Sequence, residues 1–202
     1  MGEVRGVVFD VGNVLFTWDP RFLYERLIDD DRALDVFLRD VVTHEWHFQH
    51  DAGRPFAETS AELIAEHPQH RALIEAWGPR FNESVGGPVE GMAELVAELD
   101  ARGVPLFAIT NFSGEFWEPF RKTETVFDHF RDVVVSGTER MVKPEPTIYE
   151  LALKRFGMKA EELIFVDDRA ENVAGAEAAG MRGHLFRDAE TLRMELELLG
   201  LL

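Results

Sequence analysis

Apolar residues along this chain follow two rhythms. Short, mostly apolar runs occupy 4–9, 104–109, 133–136, 163–166 and 183–186. Runs of that length without polar alternation read as strands buried on both faces. Between them the apolar positions recur at helical spacing. Residues 92–99 carry such a stripe and stop at Arg102-Gly103. Residues 146–156 start with Pro146 in a first turn, direct Ile148, Leu151, Ala152 and Phe156 inward, and end at Gly157. An Ala-rich stretch, 171–179, closes at Gly180. Strands alternating with helices predict an α/β fold, a Rossmann-like parallel sheet with helices on both faces.

The interval between the first two strands is too long for one crossover. Helical patterns fill most of it, at 21–28, 32–42, 56–67 and 71–81, with breaks at Gly53-Arg54-Pro55 and Pro68. We read 17–85 as an inserted all-helical cap and 1–16 with 86–202 as the core, the triplet Gly86-Gly87-Pro88 marking the return. The run 191–202 predicts a last docking helix without a site. There is no internal repeat and no low-complexity tract.

Composition narrows the function classes. The chain has 202 residues, 46% hydrophobic, with sixteen Phe and four Trp, which excludes a disordered polymer. Its net charge of −17 repels phosphodiester backbones and anionic lipid, so no nucleic-acid or membrane partner is expected. Small anions remain compatible with a locally positive site. No apolar run approaches the roughly 18 residues a bilayer span needs. The start, MGEVRGVVFD, lacks a signal-peptide pattern, so a cytoplasmic location is expected. Cysteine is absent, which removes disulfide and thiolate chemistry. Oligomeric state has no signature in the sequence.

Chemistry-bearing residues gather where parallel sheets bind ligands, outside the carboxyl ends of the strands. The first strand runs into Asp10-Val11-Gly12-Asn13 and the second into Thr110-Asn111. Lys143-Pro144 follows the third, and the fourth ends in Asp167-Asp168. Each is bland alone: an Asp after a strand is commonly a turn or cap residue. Together they suit one reaction. Asp10 can attack phosphorus as a carboxylate nucleophile. Asp10 and Asp168 can hold Mg²⁺, a hard ion that prefers oxygen ligands. The Thr110 hydroxyl and the Asn111 amide can hold phosphate oxygens, and Lys143 adds a compact positive charge.

The stretches VVFDVGNVL, FAITN, VKPEPTIYELAL and LIFVDDRAENVAGAEAAGM resemble, in order and spacing, the haloacid dehalogenase-like (HAD) superfamily of hydrolases. The resemblance covers nearly the whole chain. It implies a Rossmann-like core with a helical cap, and an aspartyl-phosphate formed on Asp10. It implies that Thr110 and Lys143 stabilise the phosphate, with Val11, Gly12 and Asn111 around it. It places Mg²⁺ at Asp10, the Gly12 carbonyl and Asp168, with Asp167 in support. The GNVL and KPEP forms look closest to small-molecule phosphatases, sugar-phosphate phosphatases among them.

One position departs from the family pattern. Gly12 stands where a second Asp usually serves as general acid and base, assistance typically worth about 10²–10⁴ in rate. Glu171 or a cap carboxylate such as Asp51 are the candidate substitutes. The expected function is a Mg²⁺-dependent phosphatase acting on a small phosphorylated metabolite. Two alternatives are a 2-haloacid dehalogenase using the same Asp10, and a degenerate binding protein. Asp167-Asp168 argues against the dehalogenase. Unneutralised, each carboxylate would cost a carboxylate substrate about 4 kcal/mol at about 4 Å and an effective dielectric of about 20. His44, His47, His50 and His67 are expected to pack rather than bind metal. Trp18 and Phe112 are candidates for a pocket wall, whereas Trp46, Trp77 and Trp117 are candidates for the core or the cap hinge.

Overall fold

The computed structural model describes residues 3–202. Five parallel strands form the main sheet: β1 (Gly6–Phe9), β4 (Leu106–Thr110), β5 (Asp132–Val135), β6 (Leu163–Asp167) and β7 (Arg182–Leu185), in the order β5-β4-β1-β6-β7. β1 lies at the centre, paired with β4 and β6. The apolar runs have a simple cause. Side chains alternate across a strand, and here both faces are dry. Val7, Phe9, Ala108, Ile164 and Val166 enter one apolar cluster. Val8, Phe107, Ile109, Leu163 and Phe165 enter the other.

Helices α9 (Pro146–Phe156) and α10 (Ala170–Ala178) cover the second face. The first is covered by α6 (Met92–Ala101), α7 (Gly114–Arg121) and α11 (Ala189–Leu198). Single-turn α8 (Ser136–Glu139) follows β5. No helix of the described residues is long and apolar enough to cross a membrane.

The insertion carries α1 (Arg21–Tyr24), α2 (Asp31–Asp40), α3 (His44–Asp51), α4 (Phe56–Glu66) and α5 (Arg71–Ala76). Three features differ from the sequence pattern. The stripes at 21–28 and 71–81 are helical only in their first part, the latter ending in a 3₁₀ turn at Phe81–Ser84. Helix α3 lacked an amphipathic stripe because Trp46, His47 and His50 are buried along it. Its start is fixed locally, by the Thr43 hydroxyl accepting from the Trp46 amide at 3.2 Å. Helix α7 was masked by Pro119 in its interior, and its Phe116, Trp117 and Phe120 instead hold it through burial.

The triplet that marks the return to the core lies in a strand. β2 (Phe16–Trp18) pairs antiparallel with β3 (Val85–Pro88) at the base of the insertion. Gly86 permits this: a Cβ there would lie 2.6 Å from the Phe22 ring and 2.5 Å from Thr17 Oγ1. The ribbon joins insertion to core, and Leu23, Tyr24, Phe37, Trp46 and Trp77 belong to the same apolar cluster as the sheet.

Gly86→Val should therefore overpack the ribbon and destabilise the protein by about 1–3 kcal/mol, read as a lower midpoint in urea. An unchanged midpoint would show that the ribbon is not under steric constraint.

Candidate active site

Lys143, on the loop between α8 and α9, is the hub. It is 2% exposed. Its ammonium Nζ lies 2.8 Å from Asp10 Oδ1, just past β1, and 2.7 Å from Asp167 Oδ2, at the end of β6. Its Nζ also sits 5.5 Å from the centre of the Phe165 ring. The loop is held by Asn111, the residue after β4. Asn111 Oδ1 accepts from the Lys143 amide at 2.8 Å, and Asn111 Nδ2 donates to the Lys143 carbonyl at 3.0 Å. The sequence pattern assigned Asn111 a backbone role; its side chain pins Lys143 as well.

The three carboxylates are not equivalent. Asp167 is fully buried and its oxygens are engaged. Besides Lys143 it accepts from the Arg169 amide at 2.9 Å and from Asn172 Nδ2 at 3.0 and 3.1 Å. Asn172, on α10, carried no sequence signal; only the packing of α10 against β6 shows its part. Asp10 receives Lys143 and the Val11 amide, at 2.7 Å, both on Oδ1. Among the described residues no hydrogen bond engages its Oδ2. Asp168 is the most solvent-accessible of the three. One oxygen from each of Asp10, Asp167 and Asp168 falls within 4.8 Å of the others. An all-oxygen set of this kind suits a hard divalent cation. No histidine joins such a group among the described residues.

Electrostatics follow from burial. Burial alone would lower the Lys143 ammonium, but the two carboxylates overcome it and hold the group above its usual value. Burial pushes Asp10 up to about 7, against the attraction of Lys143 and with added repulsion from Asp167. Burial and the Asp167 charge also raise Asp168.

Thr110, 1% exposed, ends the strand next to β1. Gly12 has no left-handed φ, and a Cβ there would meet nothing within 4 Å. A side chain at this position is sterically admissible. Of the two candidate substitutes for the missing acid, Glu171 is exposed and paired with Arg169 at 2.7 Å. Asp51 is the last residue of α3. It lines a cavity together with Val11, Gly12 and Asn111. Burial and the nearby Asp10 charge push it up to about 7, although the Ser113 amide binds its carboxylate. Ser136, which sequence reasoning placed only in a strand, holds this junction. Its hydroxyl donates to the Asp51 carbonyl at 2.6 Å and accepts from the Phe112 amide at 3.0 Å.

Trp18 and Phe112 line the same cavity, as expected, and so does Trp77. Trp46 and Trp117 are in the core. His50 packs in the insertion, Nε2 at 2.7 Å from Thr59 Oγ1.

The raised Asp51 has a measurable consequence for the metal-free protein. A carboxyl of about 7 when folded, against about 3.9 when unfolded, binds more protons in the native state between those values. Its contribution to stability therefore falls as pH rises from about 4 to about 7. Buried His47 and His50 are lowered by burial and tilt stability the other way below about pH 6.5. The difference between Asp51→Asn and wild type is thus the readout. It should grow in favour of the variant through that window, by about 1 kcal/mol or more at pH 7.5. A difference independent of pH in urea melts would place Asp51 in water.

Comparisons with known proteins give the family. The haloacid dehalogenase-like hydrolase family model matches residues 4–180. A sesquiterpene phosphatase of Aspergillus oryzae is 29% identical over 95% of this chain and 94% of its own length. A phosphoglycolate phosphatase of Yersinia pseudotuberculosis is 32% identical over 88% and 78%. Among solved structures, a HAD-family enzyme of Bacteroides thetaiotaomicron in complex with magnesium superposes with a TM-score of 0.74 at 18% identity, covering 96% of this chain and 99% of that one. L-2-haloacid dehalogenase from Xanthobacter autotrophicus superposes at 0.63 with 17% identity, covering 98% and 86%. These last two likenesses concern the fold alone. With its family model matched from strand β1 through helix α10, the chain belongs to the haloacid dehalogenase-like hydrolases.

Proposed function

We propose that the protein is a Mg²⁺-dependent phosphatase acting on a small phosphorylated metabolite through an aspartyl-phosphate on Asp10. The observation that carries this reading is Lys143, buried between Asp10 and Asp167, beside the more open Asp168. Asp10 Oδ2 is the free oxygen and attacks phosphorus. The phosphorus–oxygen ester bond breaks, the alcohol leaves with a proton, and water later hydrolyses the acyl phosphate. Lys143 draws charge from the Asp10 carboxylate and the phosphoryl oxygens, a preorganised stabilisation. Thr110 and the backbone at Val11, Gly12 and Asn111 lie where those oxygens arrive. Asp10, the Gly12 carbonyl and Asp168 would hold the Mg²⁺. Asp167, saturated by Lys143, Asn172 and Arg169, anchors the lysine instead. Bound there, the cation would neutralise the phosphate charge that three carboxylates otherwise repel. The homologous phosphatases support the same reaction class.

Asp51 takes the acid–base role that Gly12 vacates. Held up to about 7, it keeps a proton near neutral pH and can give it to the departing alkoxide.

Hydrolysis of p-nitrophenyl phosphate with Mg²⁺ is the direct test. Asp10→Asn should fall below about 1% of wild type, and EDTA should stop the wild type. Activity that survives both, or release of halide from 2-chloropropionate without metal, would overturn the reading. Asp51→Asn should slow alkyl phosphates about 10²-fold or more and aryl phosphates less, because aryl leaving groups need little protonation. Gly12→Asp in that background should recover part of the loss. Equal slowing of both ester classes would remove Asp51 from proton transfer.

A further inference from the structure

The space beside Asp10 is a cavity whose walls are mostly aromatic. Of the fifteen residues lining it, seven are Phe or Trp, with Val11 and Val85 besides. Gly12, Asn111 and Ser113 form its core side; Trp77, Phe81 and His47 come from the insertion. Its volume is about 90 Å³, smaller than an engineered apolar cavity of about 150 Å³ that takes benzene. A short branched chain or at most one ring fits. A sugar suits these walls poorly, because most of its hydroxyls would lose water against aromatic rings.

Among the polar groups of the lining, which also include Asp51, Asn111, Ser113 and His50, those of His47 and Trp77 stand out as unmatched. His47 is 6% exposed and Trp77 is 1% exposed, their rings 4.2 Å apart. Among the described residues, neither nitrogen of His47 nor the indole nitrogen of Trp77 has a hydrogen-bond partner. Burial of such atoms without a partner is costly, and native proteins rarely retain it without a use. Burial lowers His47 well below its usual value, so it is neutral and offers one donor and one acceptor.

We propose that the phosphate ester recognised at this site is that of a compact apolar alcohol, carrying one hydrogen-bonding atom that meets His47 or Trp77 on the insertion side. This rests on the phosphatase reading above and gives the substrate a chemical class. The aromatic walls select against polyols, and the paired orphan nitrogens select among apolar alcohols. A site with buried polar groups rejects the analogue that leaves them unpaired.

The test compares specificity constants of the wild-type enzyme with Mg²⁺ for four phosphates: acetyl phosphate, glucose 6-phosphate, benzyl phosphate and 3-hydroxybenzyl phosphate. Benzyl phosphate should exceed glucose 6-phosphate by about 100-fold or more, and the hydroxybenzyl ester should exceed benzyl by about fivefold or more. His47→Phe, which keeps a ring of similar size, should erase the second advantage and retain the first. Trp77→Phe serves the same purpose should the first variant not fold. Glucose 6-phosphate turned over as fast as benzyl phosphate, with acetyl phosphate hydrolysed, would overturn the proposal and leave the phosphatase reading standing. Equal rates for the two benzyl esters would overturn the role of His47 and Trp77. No hydrolysis of any of the four would overturn both readings.

Discussion

A buried ammonium between two carboxylates is the constraint on which this structure turns. Removing Lys143, Asp10 and Asp167 from water is expensive, and mutual attraction repays it only with good geometry and with the remaining lone pairs satisfied. That condition explains the surrounding residues. Asn172 and the Arg169 amide saturate Asp167, and Asn111 grips the Lys143 backbone on both sides. The result leaves one oxygen of Asp10 free beside a fixed positive charge. Stability and reactivity here depend on the same contacts, because deleting the lysine would leave two buried carboxylates unpaired.

The sheet topology supplies the meeting point. With β1 central and β4 and β6 on its flanks, three parallel strands deliver Asp10, Thr110-Asn111 and Asp167-Asp168 to one edge. The lysine arrives from the loop after α8, outside the sheet. The insertion is not a loosely tethered lid: its aromatic residues share an apolar cluster with the sheet. Ser136 ties the end of α3 to the loop after β4. That tie sets Asp51 beside the Asp10 charge, where burial and that charge raise its carboxyl.

The site therefore combines a polar, highly charged floor with an apolar wall. The floor suits the phosphoryl group, whose charge needs ammonium and cation. The wall suits what remains after the phosphoryl group has been transferred. On the proposed reading, an acid contributed by the insertion, rather than by the first strand loop, would also couple proton delivery to the packing of α3 against the core.

Much of this was legible in the sequence, for physical reasons. A strand with two dry faces must be apolar throughout, so β1, β4 and β6 announced themselves. Asp10, Lys143 and Asp167-Asp168 stood out as charged residues beside such runs. Other parts depend on tertiary contacts and leave no periodic trace. Helix α3 buries one face through Trp46, His47 and His50, and the two histidines on that face leave no apolar stripe, while α7 holds a proline that burial overrides. The ribbon of β2 and β3 contains a glycine whose purpose is the Phe22 ring across from it. The division of labour between Asp167 and Asp168 is invisible in two adjacent identical letters; it follows from which one the Lys143 ammonium and Asn172 reach. Likewise the sequence alone determined that a carboxylate is missing at Gly12, and only folding decided that Asp51, far away along the chain, comes to lie beside it, because chain distance does not restrict what packing brings together.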